Sequence, residues 1–328
     1  MEGSASGHAN FATEILAKHW HIHEPPTPTH LGVSRATWRV GPHYWLSQAE
    51  EARATEVFRQ TKLVFDLDRY LRSHDLSISV PQPIASDRGN IVEVDGRYAW
   101  SLSRNISGIH VDVADPAIYT ALAGELARFH HALRMFSRHQ PMNVADGICV
   151  RTRQSIARLS QRPFVPFTPD PEEEQVLWQA SAWLLSRLDR LERLPRQLVH
   201  GDWTLQNVLF SGTDRPNRLT GVLDFEAIAI DPIVVDVANI CSTLLMWSGL
   251  DNLDERVDSV LTSYGASSGD HLELADVHTA MLAHWLCHYW SWRDRLQFGE
   301  FGREVKQRLC LRIRSAFSYV SRGNPNSP

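Results

Sequence analysis

The sequence predicts an α+β fold in which a small N-terminal part contains an antiparallel sheet and a larger part is mainly helical. Short runs of β-type residues, separated by turn residues, lie mostly within the first hundred positions. The rest of the chain is dominated by long segments with apolar residues at helical spacing. With 328 residues, 43% of them hydrophobic, the chain can form one large domain or two lobes.

The N-terminal part is expected to combine two helices with a few short strands. Turn residues separate the strands: Gly41-Pro42 between the first two, and Asp95-Gly96 within a later hairpin. On the longer helix, Val57, Val64 and Leu67 should face inward. In chain order, the predicted elements are a helix over 11–20, strands over 36–40 and 44–47, a helix over 50–73 and a hairpin over 91–103.

The remaining chain is predicted to be helical with short β-type runs in the middle. Asp115 is a candidate N-cap before Pro116. Residues 140–170, which contain several prolines, are expected to be irregular. The predicted helices cover 116–135, 172–191, 234–247, 271–295 and 301–321, and the β-type runs cover 198–199, 207–210 and 219–224.

These elements predict a disordered tail over 1–10, an N-terminal lobe over 11–105 and a C-terminal lobe over 106–328. A cleft between two such lobes is a preferred ligand site. The net charge of −5 gives no general attraction to nucleic acid or to an anionic membrane, and it suits a neutral or cationic small substrate. The chain has four widely spaced cysteines, no membrane-spanning apolar stretch and no signal-peptide pattern, so we expect a cytoplasmic protein without disulfides.

One compound motif carries the chemistry. His200-Gly201-Asp202 is followed by Asn207 and then by Asp224-Phe225-Glu226, each beside a short β-type run. Phosphoryl transfer needs mainly positioning and charge neutralisation. An aspartate orients the acceptor hydroxyl and takes its proton, while an amide oxygen and a second carboxylate suit Mg²⁺. The spacing from Asp202 to Asn207 is the same as in the protein-kinase catalytic loop.

This motif, with glycine before the aspartate and glutamate after Asp224-Phe225, resembles the aminoglycoside-phosphotransferase-like branch of the protein-kinase-like fold. That branch includes antibiotic kinases, choline kinases and type II homoserine kinases. The segments ILAKHW, GVSRATWRV, HYWL and AGELARFH add weaker similarity. The resemblance covers most of residues 11–250 and is strong over 198–239. It implies a two-lobed kinase-like fold.

Carried over by position, the resemblance implies that Asp202 is the catalytic base and that Asn207 and Asp224 are magnesium ligands. His200 would support the loop, and Asp236 would brace it by accepting backbone hydrogen bonds. The implied nucleotide-binding residues are Gly32, Ser34 and Arg35 in a phosphate-covering loop, Ser103, Arg104 and Asn105 in the hinge, and Ser47 and Lys62 at the phosphate-cation position.

The resemblance further implies ATP or GTP as donor and a small-molecule hydroxyl as acceptor. The acceptor would belong to an antibiotic, another natural product or a metabolite. An antibiotic or natural-product acceptor, with an antibiotic-resistance kinase as one possibility, is slightly favoured over homoserine, because the chain departs from the housekeeping pattern at Ser47.

That departure concerns the phosphate-binding lysine. Ser47 occupies the strand position where the family carries it, and the chain contains only three lysines: Lys18, Lys62 and Lys306. The helix that normally supplies a pairing glutamate reads TKLVFDLD instead. Three interpretations follow: Lys62 or Arg35 supplies the charge, the donor preference is unusual, or the protein binds nucleotide without transferring a phosphoryl group.

Other groups of polar residues in the sequence predict packed or solvent-exposed helix faces rather than reaction or metal sites. His284 and His288 have metal-ligand spacing, but their segment is aromatic and apolar, which favours a buried helix face. The acidic residues over 251–258 are expected to be a solvated helix face. No GxxxxGK[ST] loop and no GxGxxG fingerprint occurs. A hydrolase using His200 and Asp202 would need further metal ligands, which the nearby sequence does not offer.

Overall fold

The computed structural model describes residues 3–29, 35–111, 115, 117–139, 142–160, 171–212, 218–248, 252–293 and 300–322. An antiparallel sheet forms near the N-terminus and most later elements are helices, which confirms the predicted fold class. The chain forms two compact units. The first unit comprises Met1–Ile109, Leu209–Gly212 and Thr220–Glu226, and the second comprises His110–Val208, Thr213–Leu219 and Ala227–Pro328.

The first unit contains two helices and a six-stranded sheet with the order β1-β2-β3-β6-β4, in which β5 also pairs with β6. All its pairings are antiparallel. The elements are α1 (Gly3–Trp20), β1 (Pro26–Thr29), β2 (Ala36–Val40), β3 (Tyr44–Glu50), α2 (Ala54–Ser73), β4 (Pro83–Ile84), β5 (Glu93–Asp95) and β6 (Tyr98–Arg104).

The core of the first unit lies between this sheet and α1. Leu46 of β3 pairs with Trp38 of β2 and Leu102 of β6, and all three side chains are buried. Because side chains alternate across a strand, this register places one apolar row on one face of the sheet. Ile15 and Leu16 of α1 belong to the same buried cluster.

Two features at the N-terminus differ from the sequence prediction. Helix α1 begins at Gly3, within the segment expected to be disordered, since no proline interrupts helical hydrogen bonding there. Strand β1 forms at the proline-rich segment predicted to end the helix. It is an edge strand, and an edge tolerates Pro26 and Pro28 because the missing donors need no ladder partner.

Later residues also join the first unit. Strands β8 (Val208–Phe210) and β9 (Leu219–Val222) pair with each other. Ser79 donates its N–H to the Thr220 carbonyl and accepts from the Val222 N–H, each at 2.9 Å. Ile109 and Phe210 exchange backbone hydrogen bonds at 3.0 Å. The first unit therefore extends to Ile109 rather than ending at 105, and it includes the segment that carries Asp224.

The second unit is built from helices around a two-stranded antiparallel pair, β7 (Arg196–Val199) with β10 (Ala229–Pro232). Asp115 caps the first of these helices, since its Oδ1 accepts the Ala117 N–H at 3.0 Å, as predicted; Pro116 lies outside the described residues. The helices are α3 (Ala117–His139), α4 (Ile148–Ser160), α5 (Pro171–Glu192), α6 (Val234–Ser248), α7 (Leu253–Ser268), α8 (Leu274–Arg293) and α9 (Glu300–Ser321).

Helix α4 corrects the prediction that residues 140–170 are irregular. The prolines of that region flank the helix, and none lies within it. Ile148, Thr152 and Ile156 are buried at a spacing of four residues, so one face of α4 packs inward. On α7 the acidic residues Asp254 and Glu255 are exposed, as predicted. None of the described helices has the length and apolar character needed to cross a membrane.

Candidate active site

The loop after β7 carries His200, Gly201 and Asp202. Gly201 has a φ of +81°, a conformation that side-chain-bearing residues rarely adopt. A Cβ atom at this position would lie 2.2 Å from the carbonyl oxygen of Ala227. The loop backbone therefore passes so close to the segment before β10 that only glycine fits. This gives a structural reason for the glycine in the motif.

Asp236 of α6 braces this loop from beneath. Its side chain is fully buried and accepts the His200 N–H at 2.8 Å and the Gly201 N–H at 2.7 Å. The Nε2 atom of His130 lies 2.9 Å from the same carboxylate, and the Nδ1 atom of His130 lies 2.8 Å from the Tyr264 hydroxyl. Asp236 thus accepts two backbone hydrogen bonds, as the resemblance implies. His130 and Tyr264 extend this network to α3 and α7.

Asp202 and Asn207 meet through a direct hydrogen bond. The Asn207 Nδ2 donates at 2.9 Å both to the Asp202 carboxylate oxygen Oδ2 and to the Asp202 backbone carbonyl. The Asp202 N–H points at the Nδ1 atom of His200, 3.3 Å away. Because both amide hydrogens of Asn207 can be used by Asp202, its Oδ1 oxygen remains the group that can bind a hard cation.

Asp224 lies in the first unit, just after β9. Its φ is +56°, which is uncommon for a residue other than glycine and is best tolerated by Asn and Asp. The Asp224 side chain is exposed, and its Oδ1 atom lies 3.4 Å from the Glu226 N–H. A conformation of this kind costs free energy and is typical of functional sites.

Arg35, just before β2, forms a partly buried ion pair in the first unit. Its Nε atom lies 2.6 Å from the Glu226 Oε1, and only 12% of the arginine side chain is exposed. Arg35 also donates to the Gln60 side chain of α2, and Gln60 donates to the Glu226 backbone carbonyl at 3.0 Å. The carboxylate facing this arginine thus comes from the residue after Asp224-Phe225, not from α2.

Further arginines lie beside this ion pair. Burial raises the pKa of Glu56 on α2, but a hydrogen bond from Arg53 and the charges of Arg53, Arg35 and Arg59 outweigh burial and leave the pKa below its ordinary value. Three guanidinium groups therefore act on one region of the first unit. Such a cluster of cations is a candidate site for phosphate groups.

The side chains of Lys18 and Lys62 do not lie at this arginine cluster. Lys62 is 54% exposed and pairs with Asp66 on the outer face of α2, while Lys18 pairs with Asp95. Ser47 lies in β3, the strand predicted over 44–47, and there it pairs with Thr37 and Ser101. Of the two cations proposed from the sequence, Arg35 has 12% of its side chain exposed and Lys62 has 54% exposed.

The predicted hinge is only partly available to a ligand. The Arg104 N–H donates to the Gln82 carbonyl at 2.8 Å, and the Asn105 N–H donates to the His43 carbonyl at 2.7 Å. Ser103 lies within β6, paired with Trp45. A purine would therefore have to use other backbone groups than the amides of Arg104 and Asn105. The predicted loop residues Gly32 and Ser34 lie outside the described residues.

The structure places two further residues, His284 and His288, near Asp202, although the sequence predicted that they pack in a buried helix face. A ligand atom of each of Asp202, His284 and His288 lies within 4.8 Å of the others. His284 is buried, as predicted for the α8 face, but its ring also lies near the candidate catalytic aspartate. Spacing on α8 could not indicate this, since it depends on how α8 packs against the loop.

The fold class and the motif with Asp202 and Asn207 resemble those of kinase-like phosphotransferases. A family model described as the Phosphotransferase enzyme family matches residues 26–284. The chain therefore belongs to this family, which confirms the resemblance stated from the motif.

A curated relative is a homoserine kinase from Paraburkholderia phymatum, 30% identical over 213 residues. The matched region covers 63% of this chain and 62% of the relative. The relative's printed activity is therefore a hypothesis for this chain.

Solved structures of similar fold include three kinases of different acceptors. An amicoumacin kinase has a TM-score of 0.67 at 16% identity, covering 93% of this chain and 92% of its own. A microcompartment-associated aminopropanol kinase has a TM-score of 0.67 at 15% identity, covering 95% and 96%. An aminoglycoside 2′-phosphotransferase bound to GDP has a TM-score of 0.64 at 15% identity, covering 93% and 98%. At such identities the likeness shows the fold.

Proposed function

We propose that the protein transfers the γ-phosphoryl group of ATP or GTP to a hydroxyl group of a small molecule, with Mg²⁺ as cofactor. The observation that carries this proposal is the Asp202–Asn207 hydrogen bond on a loop whose backbone is held by buried Asp236. A carboxylate fixed in this way can orient an acceptor hydroxyl without a further conformational cost.

In the proposed step, Asp202 accepts the proton of the acceptor hydroxyl. The acceptor oxygen forms a bond to the γ-phosphorus, and the bond from that phosphorus to the bridging oxygen breaks. The electron pair of that bond leaves with the nucleoside diphosphate. General-base contributions of this kind are worth about 10²- to 10⁴-fold in rate.

Asn207 and Asp224 each offer a side-chain oxygen of the kind that Mg²⁺ binds. Asn207 has a side-chain oxygen left over after its hydrogen bonds to Asp202, and Asp224 presents an exposed carboxylate. Oxygen ligands of this type, few in number, are what Mg²⁺ prefers. When bound, the ion would neutralise phosphate charge. The support for Asp224 in this role is its place in the motif.

For the donor phosphates we assign the missing lysine's role to Arg35. Its side chain is 12% exposed, and its ion pair with Glu226 places it beside the segment that carries Asp224. Arginine also binds phosphate bidentately, which a lysine does not. Lys62 is the weaker candidate, because 54% of its side chain is exposed and it lies on the outer face of α2.

The chemical class of the acceptor is a separate question from the phosphotransfer step. The homoserine kinase relative favours a small metabolite, whereas the antibiotic kinases share the fold. Antibiotic resistance and a cytoplasmic location therefore remain hypotheses. The sequence similarity to a homoserine kinase now carries more weight than the departure at Ser47.

The test is an acceptor screen with ATP and with GTP, in which mass spectrometry detects the addition of one phosphoryl group. Wild type is compared with Asp202→Asn and with Asp258→Asn, a change at an exposed carboxylate of α7. We expect magnesium-dependent product from wild type and Asp258→Asn, and at least about a hundredfold less from Asp202→Asn.

The altered phosphate cation also supports a second candidate, a module that binds nucleotide without turnover. This candidate predicts nucleotide binding by calorimetry with no product and no nucleotide hydrolysis that depends on Asp202. Product formation equal in wild type and Asp202→Asn would contradict both candidates.

A further inference from the structure

Three helices of the second unit bring charged and imidazole groups to the neighbourhood of Asp202. Helix α8 carries His284 and His288, whose ring centroids are 4.4 Å apart. Helix α4 packs against it, with the Thr152 hydroxyl bonded to the Ala283 carbonyl at 3.3 Å in a buried contact. Helix α9 packs on another side of α8 and contributes Arg312. Arg151 lies next to Thr152 on α4.

Several polar atoms in this place have no hydrogen-bond partner among the described residues. The Nε atoms of Arg151 and Arg312 and the Nδ1 atom of His284 are buried without a hydrogen bond to any described residue. No ion pair of Arg151 or Arg312 occurs within the described ranges either. Buried donors of this kind are costly when unmet, and a cluster of them points to a ligand that completes it.

Two guanidinium groups act on both imidazole rings. Burial, the neighbouring His288 and the charges of Arg151 and Arg312 hold the pKa of His284 well below its ordinary value. Burial and the same two arginines lower the pKa of His288 to about 4. Both imidazoles are therefore neutral near pH 7, and each has one donor and one acceptor nitrogen.

A metal ion is the obvious occupant for two histidines and a carboxylate, but the charges disfavour it. The two guanidinium groups that repel a proton from these rings also repel a divalent cation. An anion is attracted by the same charges, and it can use the unpaired donors. The cluster formed by Arg151, His284, His288 and Arg312 is called the basic cluster below.

We propose that the basic cluster binds a carboxylate group of the acceptor, so that the substrate is a hydroxy acid or hydroxy amino acid whose hydroxyl reaches Asp202. This inference rests on the proposed phosphotransferase function and names its substrate class. It replaces the expectation, based on net charge alone, that the substrate is neutral or cationic.

The position of Arg312 suits this role. Its Cζ atom lies 4.8 Å from the centroid of the Trp285 ring, in a cation–π contact. Stacking of this kind orients the planar guanidinium group and leaves its N–H groups free to donate in their own plane. A planar fork of N–H donors matches the two oxygens of a carboxylate. Lysine could not replace it without losing this bidentate geometry.

The experiment compares pairs of acceptors that differ only in the carboxylate. L-Homoserine is paired with the amino propanol left when its carboxylate is removed, and L-serine is paired with ethanolamine. Initial rates give kcat and KM for each acceptor at saturating nucleotide. We expect the carboxylate member of a pair to be preferred in kcat/KM by about 10- to 100-fold, as for a charge-assisted hydrogen bond.

The variants are Arg312→Gln and Arg151→Gln, with Arg314→Gln as control on the exposed side of α9. We expect both cluster variants to raise KM for the acceptor that carries a carboxylate by about 10-fold or more. KM for the matched acceptor without a carboxylate should be unchanged. Arg314→Gln should behave as wild type. Thermal unfolding shows whether each variant is folded, and Arg312→Lys should restore only part of the preference.

The outcomes separate this inference from the proposed function. Turnover without a carboxylate preference, turnover only of acceptors without an anionic group, or a preference that survives both variants overturns the inference alone. A matching rise in nucleotide KM also overturns it, because the arginines would then serve the donor. Absence of any Asp202-dependent product overturns the function itself.

Discussion

Asp236 and Asp231 are two buried carboxylates on the same segment of the second unit, yet their surroundings differ. Asp236 receives two backbone N–H groups and the His130 ring. Asp231 receives the Ile148 N–H at 2.5 Å, while its Oδ1 atom has no partner among the described residues. Burial accordingly raises the pKa of Asp231 to about 6. The Ile148 N–H and the Cys149 thiol, which donate to Asp231, do not offset this effect of burial.

The difference also follows from position. Asp236 lies beneath the loop that carries Asp202, so its hydrogen bonds fix a candidate catalytic group. Asp231 holds the start of α4 through Ile148, and a Cβ atom on Gly147 would lie 2.3 Å from the Asp231 carboxylate. One carboxylate therefore organises the site, whereas the other joins a helix to a strand.

Removing the better-supported carboxylate should have the largest effect. Asp236→Ala leaves two backbone donors and the His130 ring unmet, at a cost on the order of 3–5 kcal/mol in the free energy of unfolding. Activity should fall as well, because the loop loses its brace. Urea denaturation and steady-state rates measure the two effects. Asp258→Ala, at an exposed site, is the control; equal midpoints for both variants would contradict the comparison.

Asp231 should make the free energy of unfolding depend on pH, with a smaller effect than the loss of Asp236. Its pKa in the folded protein, about 6, lies above the ordinary 3.8, so the folded state binds this proton more tightly than the unfolded state. The stabilisation is complete below pH 4 and is lost as the pH rises to about 6, by on the order of 3 kcal/mol.

Urea denaturation of wild type and Asp231→Asn between pH 4 and pH 8 measures this dependence. The difference in unfolding free energy should shift in favour of the variant as the pH rises. A difference that stays constant over the whole range would mean that Asp231 does not titrate as stated.

The smallest effect is expected at the outer end of the Asp236 network. Tyr264→Phe removes the hydroxyl that meets the His130 Nδ1 atom, at a cost of about 1 kcal/mol. A double-mutant cycle with His130→Phe measures whether the two residues are coupled. Strict additivity of the two changes would show that the network ends at His130.

Much of the fold could be predicted from local patterns. Strand β2 begins and ends where the sequence predicts, and α2 buries the predicted face with Val57, Val64 and Leu67. The sequence did not predict strand β1 or helix α4, because prolines lie in or near both segments and prolines usually indicate irregular structure. An edge strand tolerates proline, and α4 lies between the prolines of its region. The assignment of the β8–β9 region to the first unit depends on pairing with Ser79 and Ile109, which are distant in sequence.

The site was predicted to the extent that its residues share a loop. Asp202 and Asn207 meet because a fixed spacing and a braced loop bring them together, and Gly201 reports the tight turn. Arg35 was one of two cations considered, and its partner Glu226 could not be foreseen. The basic cluster was missed, since Arg151 lies in a helix read as irregular and Arg312 lies far from the motif.

The sequence by itself determined the family, the fold class and the order of the groups in the loop, because these depend on spacing along a few neighbouring residues. Only the tertiary structure decided which arginine is buried against Glu226 and which charges surround His284 and His288. Residues on α4, α8 and α9 become neighbours through helix packing, and packing follows from the shapes of whole helix faces rather than from any local pattern.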